Sequence, residues 1–184
     1  MKRLSVVRTL FHLSGAFIPL LYLLCGEPLV LALTLSALAL VALAEVLRIK
    51  GRLNLAFVQR RLKTEEMKRP TGSFFYLISC LATILLFPRP IAVASILVLA
   101  IADPLSSLIG SRWGRTPFFG KSAEGTGVFF FSSLLILACF RFPWSHFAPA
   151  AGAAAAAELF SSRFVDDNLT IPLVCALALT VAGR

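Results

Sequence analysis

IAVASILVLAIADPLSSLIGSRWGRTPFFGKSAEGTG, residues 91–127, joins an almost wholly apolar run to an acid, a proline and a glycine-rich basic segment. The run Ile91–Ile101 delivers Asp103, with Pro104 directly behind it. A carboxylate at a membrane boundary is costly unless it is paired or bound to metal. Gly110, Gly114, Gly120, Gly125 and Gly127 then alternate with Arg112, Arg115, Lys121 and Glu124 before the chain turns apolar again. Glycines let backbone N–H groups approach an anion, and a lysine just before a helix start adds charge where phosphate already binds well. The stretch therefore points to a nucleotide-phosphate site at a membrane surface. On spacing alone, a basic connector whose glycines only turn the chain is an equal alternative.

Working outward, apolar segments recur at 9–25, 28–47, 72–88, 90–109, 126–142, 146–161 and 169–183. The chain has 184 residues, 58% of them hydrophobic, with a mean hydropathy of +0.86, against about 45–50% apolar in soluble chains. This predicts an all-α polytopic membrane bundle of seven spans, a single membrane-embedded domain over 1–184. Several segments are shorter than the ~20 residues that cross a bilayer squarely, so their helices are expected to run into polar flanks. The run AGAAAAAELF (151–160) suits a helix packed against neighbours. The start imitates a signal peptide, but Tyr22, Leu23 and Leu24 are too large for a cleavage site before Cys25, and it reads as a retained span. Cys25, Cys80, Cys139 and Cys175 all sit in apolar segments and read as small buried hydrophobes.

The net charge of +9 has a topological cause. With the N-terminus inside, Lys2, Arg3, Arg8, the eight basic residues of 48–69, Arg112, Arg115, Lys121 and Arg163 fall on the inner side. Only Arg89, Arg141 and Arg184 fall outside. That bias orients a membrane protein, here in a prokaryotic plasma membrane with a cytoplasmic N-terminus, and no nucleic-acid partner is needed to explain it. Glu27 alone lies outside among the acids. Glu45, Asp103 and Glu158 lie inside the inner ends of apolar segments, where a buried acid is a functional candidate. Residues 48–70 place Ile49, Leu53 and Phe57 on one helical face, either an amphipathic helix in the headgroup plane or a charged connector. His12 follows Arg8 by four residues and shares its face; Trp144 belongs to an outer, interfacial loop.

Three constellations carry chemistry. Pro104 lacks an N–H and clashes with the carbonyl of Ala100, so a freed carbonyl near Ala100 and the Asp103 carboxylate are placed to hold magnesium; a kinked helix with Asp103 paired to Arg112 or Arg115 is the alternative. Lys121, Ser122, Ala123, Glu124 and Gly125 open the fifth span, where a helix N-terminus and a point cation attract phosphate; Glu124 is equally placed for capping, as are Ser122 and Thr126. Asp166, Asp167 and Asn168 follow Glu158 and suit either magnesium or a helix cap.

With these residues in hand, the chain resembles the CTP-dependent polyprenol kinase family, which includes dolichol, phytol and farnesol kinases and the CTP-using diacylglycerol kinase. The resemblance runs through Arg8 and His12, Glu45 and Arg48, and Glu66 with Thr71, Gly72 and Tyr76. It continues through Asp103, Gly110, Gly114 and Lys121-Ser122-x-Glu124-Gly125, and closes on Glu158, Asp167-Asn168 and Pro172. Thr9, Ala102 and Pro104 depart from the family pattern. The related phosphatidate cytidylyltransferases share a similar acidic, glycine-bearing core. A scaffold or transporter is weakened by the lack of an acid at mid-membrane depth.

The resemblance implies a kinase that transfers phosphate from CTP, with magnesium, to a lipid alcohol at the cytoplasmic face. It assigns Asp103, Asp167 and Asn168 to the metal. Nucleotide binding falls to Gly110, Arg112, Gly114, Lys121, Ser122, Glu124 and Gly125, with Arg8 and His12. Lys121 is also catalytic, and the general base is left open among Glu45, Asp103 and Glu158.

Overall fold

The computed structural model describes residues 13–52, 69–161 and 166–184. Arg8, His12, Leu53, Phe57, Glu66 and Arg163 lie outside the described residues. Each apolar segment of the sequence corresponds to one helix, seven in all among the described residues. They are α1 (Phe17–Leu24), α2 (Glu27–Ile49), α3 (Gly72–Leu86), α4 (Arg89–Trp113), α5 (Ala123–Cys139), α6 (Trp144–Phe160) and α7 (Asp167–Ala182). Two, α2 and α4, are long and apolar enough to cross a membrane; α3, α5 and α7 are apolar but shorter. The 23 residues of α2 extend about 34 Å at 1.5 Å per residue, enough for a hydrocarbon core of about 30 Å.

The all-α fold carries one small addition. Between α4 and α5 the chain makes an antiparallel hairpin of β1 (Pro117–Phe118) and β2 (Lys121–Ser122), with Phe118 opposite Lys121. Phe119 and Gly120 close it with φ of 45° and 83°. Two successive left-handed residues are what a two-residue hairpin turn demands, and glycine takes the second without strain.

Helix α4 is the pillar of the fold. In its apolar window 72% is buried, against 17% for α2. One side of α4 (Ala94, Val98, Leu99 and Ala102) packs with Phe129 and Leu137 of α5, Ala150, Ala151 and Ala154 of α6, and Ile171, Cys175 and Leu179 of α7. Its other side (Ala92, Val93, Ile96 and Leu97) packs with Tyr22 of α1, Val30 of α2, and Cys80 and Ile84 of α3. The alanines of α6 are what allow it to lie close against its neighbours, as their small size anticipates. By contrast α2 exposes Leu29, Leu33, Leu35, Leu40 and Leu43. So much exposed apolar surface along one helix calls for an apolar surrounding. Of the four cysteines, Cys80 and Cys175 are buried as expected, whereas Cys25 is half-buried and Cys139 is exposed on the last turn of α5.

The helical ladder of α4 opens where Pro104 withholds its N–H from Ala100. The opening takes the form of a π-helical turn over Val98–Ala102, not a simple kink. Such turns widen the backbone locally and occur often at functional sites. Asp103 begins the α-helical half that follows.

At the opposite end Arg89 ties α4 to α1. Its Nη2 donates to the carbonyls of Leu23 at 2.6 Å and Cys25 at 3.2 Å, and its guanidinium lies 5.3 Å from the Tyr22 ring centroid. The last carbonyls of a helix have no intrahelical donor, so Arg89 satisfies the end of α1 from the start of α4. Arg89→Ala is expected to cost about 1 kcal/mol, which lowers Tm by about 2–4 °C for a chain of this size. Thermal unfolding of the detergent-solubilised protein checks this, and an unchanged Tm would show that the tie carries no stability.

Candidate active site

A cavity of about 440 Å³ opens where the hairpin meets the ends of four helices. Asp103, Ser106, Ser107, Gly110 and Ser111 line it from α4, Lys121 and Ser122 from β2, Gly125 and Thr126 from α5, Glu158 from α6 and Asp167 from α7. Thus Asp103, Lys121, Glu158 and Asp167, spread over 65 positions of sequence (103 to 167), share one cavity.

The first turn of α5 is positioned by its cap. Ser122 Oγ accepts the Gly125 N–H at 3.1 Å, which settles the capping alternatives in favour of Ser122. The hairpin and this turn rest against α4 through missing side chains. A Cβ on Gly110 would lie 2.9 Å from Ser122 Oγ, and one on Gly125 would lie 3.1 Å from the Ser106 carbonyl oxygen. A Cβ on Gly114 would strike the Gly110 carbonyl oxygen and Ser122. Gly110 and Gly125 line the cavity, while Gly114 sits behind Ser122 and lets the hairpin close onto α4.

Lys121 crosses the cavity to the end of α6. Its Nζ donates to Glu158 Oε1 at 2.5 Å and to the Glu158 carbonyl at 2.6 Å. Glu158 is only 3% exposed, and its other oxygen, Oε2, is buried without a hydrogen-bond partner, as is Thr126 Oγ1 on the same cavity wall. An unsatisfied buried polar atom costs about 1–3 kcal/mol and demands an explanation. Both residues line the same cavity, Glu158 from α6 and Thr126 from α5.

The other site candidates are placed as follows. Glu45 lies outside the cavity, where it accepts from Arg48 Nε at 3.1 Å, from Arg48 Nη2 at 2.5 Å and from Thr71 Oγ1 at 2.9 Å. Arg48 Nη2 also donates to the Arg69 carbonyl at 2.5 Å, so the Glu-x-x-Arg pair fastens the end of α2 to the approach of α3. Arg112 lies over the Trp113 ring, 4.9 Å from its centroid, and is exposed. Glu124 turns to the loop before the hairpin and accepts from the backbone N–H groups of Arg115 and Thr116, both at 3.1 Å. Hydrogen bonds from its own and the Arg115 backbone hold its carboxyl below the ordinary carboxylate range. Asp166 caps α7 by accepting from the Asn168 N–H at 2.9 Å, and the Asn168 side-chain amide donates to Asp166 at 2.7 Å and Asp167 at 3.2 Å. Burial pushes the Asp166 carboxyl above its ordinary range; the Asn168 amide opposes that rise and the Asp167 charge adds to it.

Among the described residues no three His, Cys, Asp or Glu side chains converge as a metal cage. Asp103 and Asp167 face one cavity, however. Magnesium is commonly held by one or two carboxylates together with waters and substrate phosphates. The donor set fits a magnesium ion shared with a nucleotide and does not fit a self-sufficient metal site. The Lys121–Glu158 pair was not legible in sequence, because nothing in the spacing of residues 37 positions apart signals contact. From its position in sequence Thr126 suggests only a cap.

No protein-family model and no solved structure matches the chain. It is 28% identical over 188 residues to an uncharacterised protein of Rickettsia prowazekii, covering 95% of this chain and 92% of that one. It is 25% identical over 204 residues to CTP-dependent diacylglycerol kinase 1 of Schizosaccharomyces pombe, covering 97% and 93%. Over 98 residues, 47% of this chain and 42% of the other, it is 39% identical to phytol kinase of Synechocystis.

The Glu124 tether has a pH signature. Because the folded carboxyl titrates below its unfolded value of about 4.3, the tether is fully present above that value and is lost as pH falls through the lower folded one. Amide hydrogen exchange at Arg115 and Thr116, corrected for intrinsic rates, should accelerate there and should already be fast at neutral pH in Glu124→Gln. Equal protection in the variant would remove Glu124 from this role.

Proposed function

From the chain's homologues, which include two members of the CTP-dependent polyprenol kinase family, we propose that it is a lipid kinase that moves the γ-phosphate of CTP onto the hydroxyl of a membrane lipid alcohol at the cytoplasmic face. The chain is read as crossing the membrane seven times with its N-terminus inside. The observation that carries the reading is the single cavity in which Lys121, Asp103, Asp167 and the part-satisfied Glu158 meet at the start of α5.

Phosphoryl transfer needs positioning and charge neutralisation more than covalent chemistry. Lys121 serves as a point cation for the nucleotide phosphates, and the N-terminus of α5 adds N–H donors and a favourable dipole. Gly110 and Gly125 let the start of α5 settle against α4, which sets that helix N-terminus at the cavity. Magnesium bound by Asp103 and Asp167, with Asn168 orienting the latter, would supply further neutralisation of the phosphate oxygens. Glu158 is the base best supported among the three candidates, since Glu45 is engaged by Arg48 and Thr71 outside the cavity. The acceptor oxygen bonds to the γ-phosphorus as the bond from that phosphorus to the bridging oxygen breaks. CDP leaves, and the hydroxyl proton passes to Glu158 Oε2.

Purified protein given γ-labelled CTP or ATP with farnesol, phytol, undecaprenol and diacylglycerol tests this. Label should pass from CTP to an alcohol. Lys121→Ala and Asp103→Asn should each lower kcat/KM at least 100-fold, about 2.7 kcal/mol of transition-state stabilisation. Glu158→Gln should lower kcat more than it raises KM. Formation of CDP-lipid and pyrophosphate from phosphatidic acid, with no labelled alcohol, would replace the kinase reading by a cytidylyltransferase.

A further inference from the structure

We infer that a second cavity is the slot for the hydrocarbon next to the acceptor hydroxyl, and that it admits one chain and not two; the inference rests on the lipid-kinase reading above. This cavity, of about 250 Å³, has walls of Phe17 and Ile18 from α1, Val41 from α2, Leu77 from α3 and Leu99 from α4. Ser73 and Asn168 give it a polar corner where the start of α3 meets α7, and Ser14 adds a hydroxyl from the approach of α1.

Its location ties it to the phosphate cavity. Ala100 of the π-helical turn lines the slot and Asp103, three residues on, lines the other cavity; Asn168 lines the slot and its neighbour Asp167 lines the other. The two spaces therefore abut across the same short pieces of α4 and α7. A hydroxyl seated beside Ser73 and Asn168 lies on the side of the slot next to Asp167 and the phosphate cavity. The apolar walls continue toward α1 and α2, whose neighbouring Leu20, Leu40 and Leu43 are exposed. A chain can thus run from the surrounding apolar phase to the reaction point without crossing water.

Its width is restricted from two sides. Tyr76 donates its hydroxyl to the Gly15 carbonyl at 2.5 Å, which pins α3 to the approach of α1. At Gly72 the start of α3 lies so near α7 that a Cβ would be 2.8 Å from Asn168 Nδ2. An apolar cavity of about 150 Å³ admits a benzene ring, so 250 Å³ holds roughly ten carbons of a single chain. A diacylglycerol branches beside its hydroxyl and would have to place two chains here. The substrate class is a single-chain alcohol of isoprenoid or similar shape.

Photocrosslinking tests the slot without requiring turnover. The full chain in phosphatidylcholine nanodiscs is irradiated with a fifteen-carbon isoprenoid alcohol bearing a diazirine, or with a diazirine diacylglycerol, and the adducts are mapped by mass spectrometry. The single-chain probe should mark Phe17, Val41 or Leu77 and be chased by unlabelled alcohol. Leu77→Trp and, independently, Val41→Phe should cut this labelling at least tenfold while CTP affinity stays unchanged. The diacylglycerol probe should label the slot at least tenfold less. Labelling confined to the exposed face of α2 and not chased, or equal labelling of the slot by both probes, overturns the inference. Slot labelling as expected without any phosphate transfer would sink the kinase reading and leave the slot standing.

Discussion

A lysine ammonium held 2.5 Å from a carboxylate that is almost wholly buried is the contact on which the site depends. Burying a carboxylate without a partner is costly, and the part-exposed Lys121 supplies that partner. Lys121 must therefore reach Glu158, and the path by which it does so dictates the local chain. It sits on the second strand of a tight hairpin, Ser122 behind it caps α5, and three glycines let that assembly settle onto α4. The pairing is also incomplete, since Lys121 occupies one oxygen of Glu158 and leaves the other without a partner. That half-satisfied state is poor for stability and well suited to a group that must accept a proton.

Helix α4 performs a different service. Both buried clusters are built on it, so its axis fixes where every other helix lies. Pro104 makes the ladder open within this most buried element, and the π-helical turn stands between the two cavities. Ala100 on one side of that turn and Asp103 on the other convert a local backbone irregularity into a boundary between an apolar space and a charged one. A straight helix would carry its side chains past this level at an unbroken period and offer no such division.

The acids divide in the same manner. Glu45 and Glu124 have the composition of site residues but are consumed in fastening, the first to Arg48 and Thr71, the second to the N–H groups of the loop before the hairpin. Glu124 holds the loop before the hairpin, and Glu45 holds the end of α2 to the approach of α3. Asp166 is likewise taken up as the cap of α7, while its neighbour Asp167 faces the cavity. Residue type alone does not separate these tasks, because a carboxylate accepts hydrogen bonds equally well from a backbone N–H or from a ligand.

The helical segments, the burial of α6 behind its alanines, the break at Asp103-Pro104 and the interest of Asp103, Lys121, Glu158 and Asp167 are all legible in the order of residues. Each follows from a local cause: apolar run length, side-chain size, a missing N–H, or a charge set in greasy surroundings. The pairing of Lys121 with Glu158, the packing of Gly114 against Ser122, the exposure of Cys139 and the small hairpin emerge only in the folded chain. These depend on how separate helices cross. A crossing is set by the fit of many side chains at once, so no short stretch of sequence carries it.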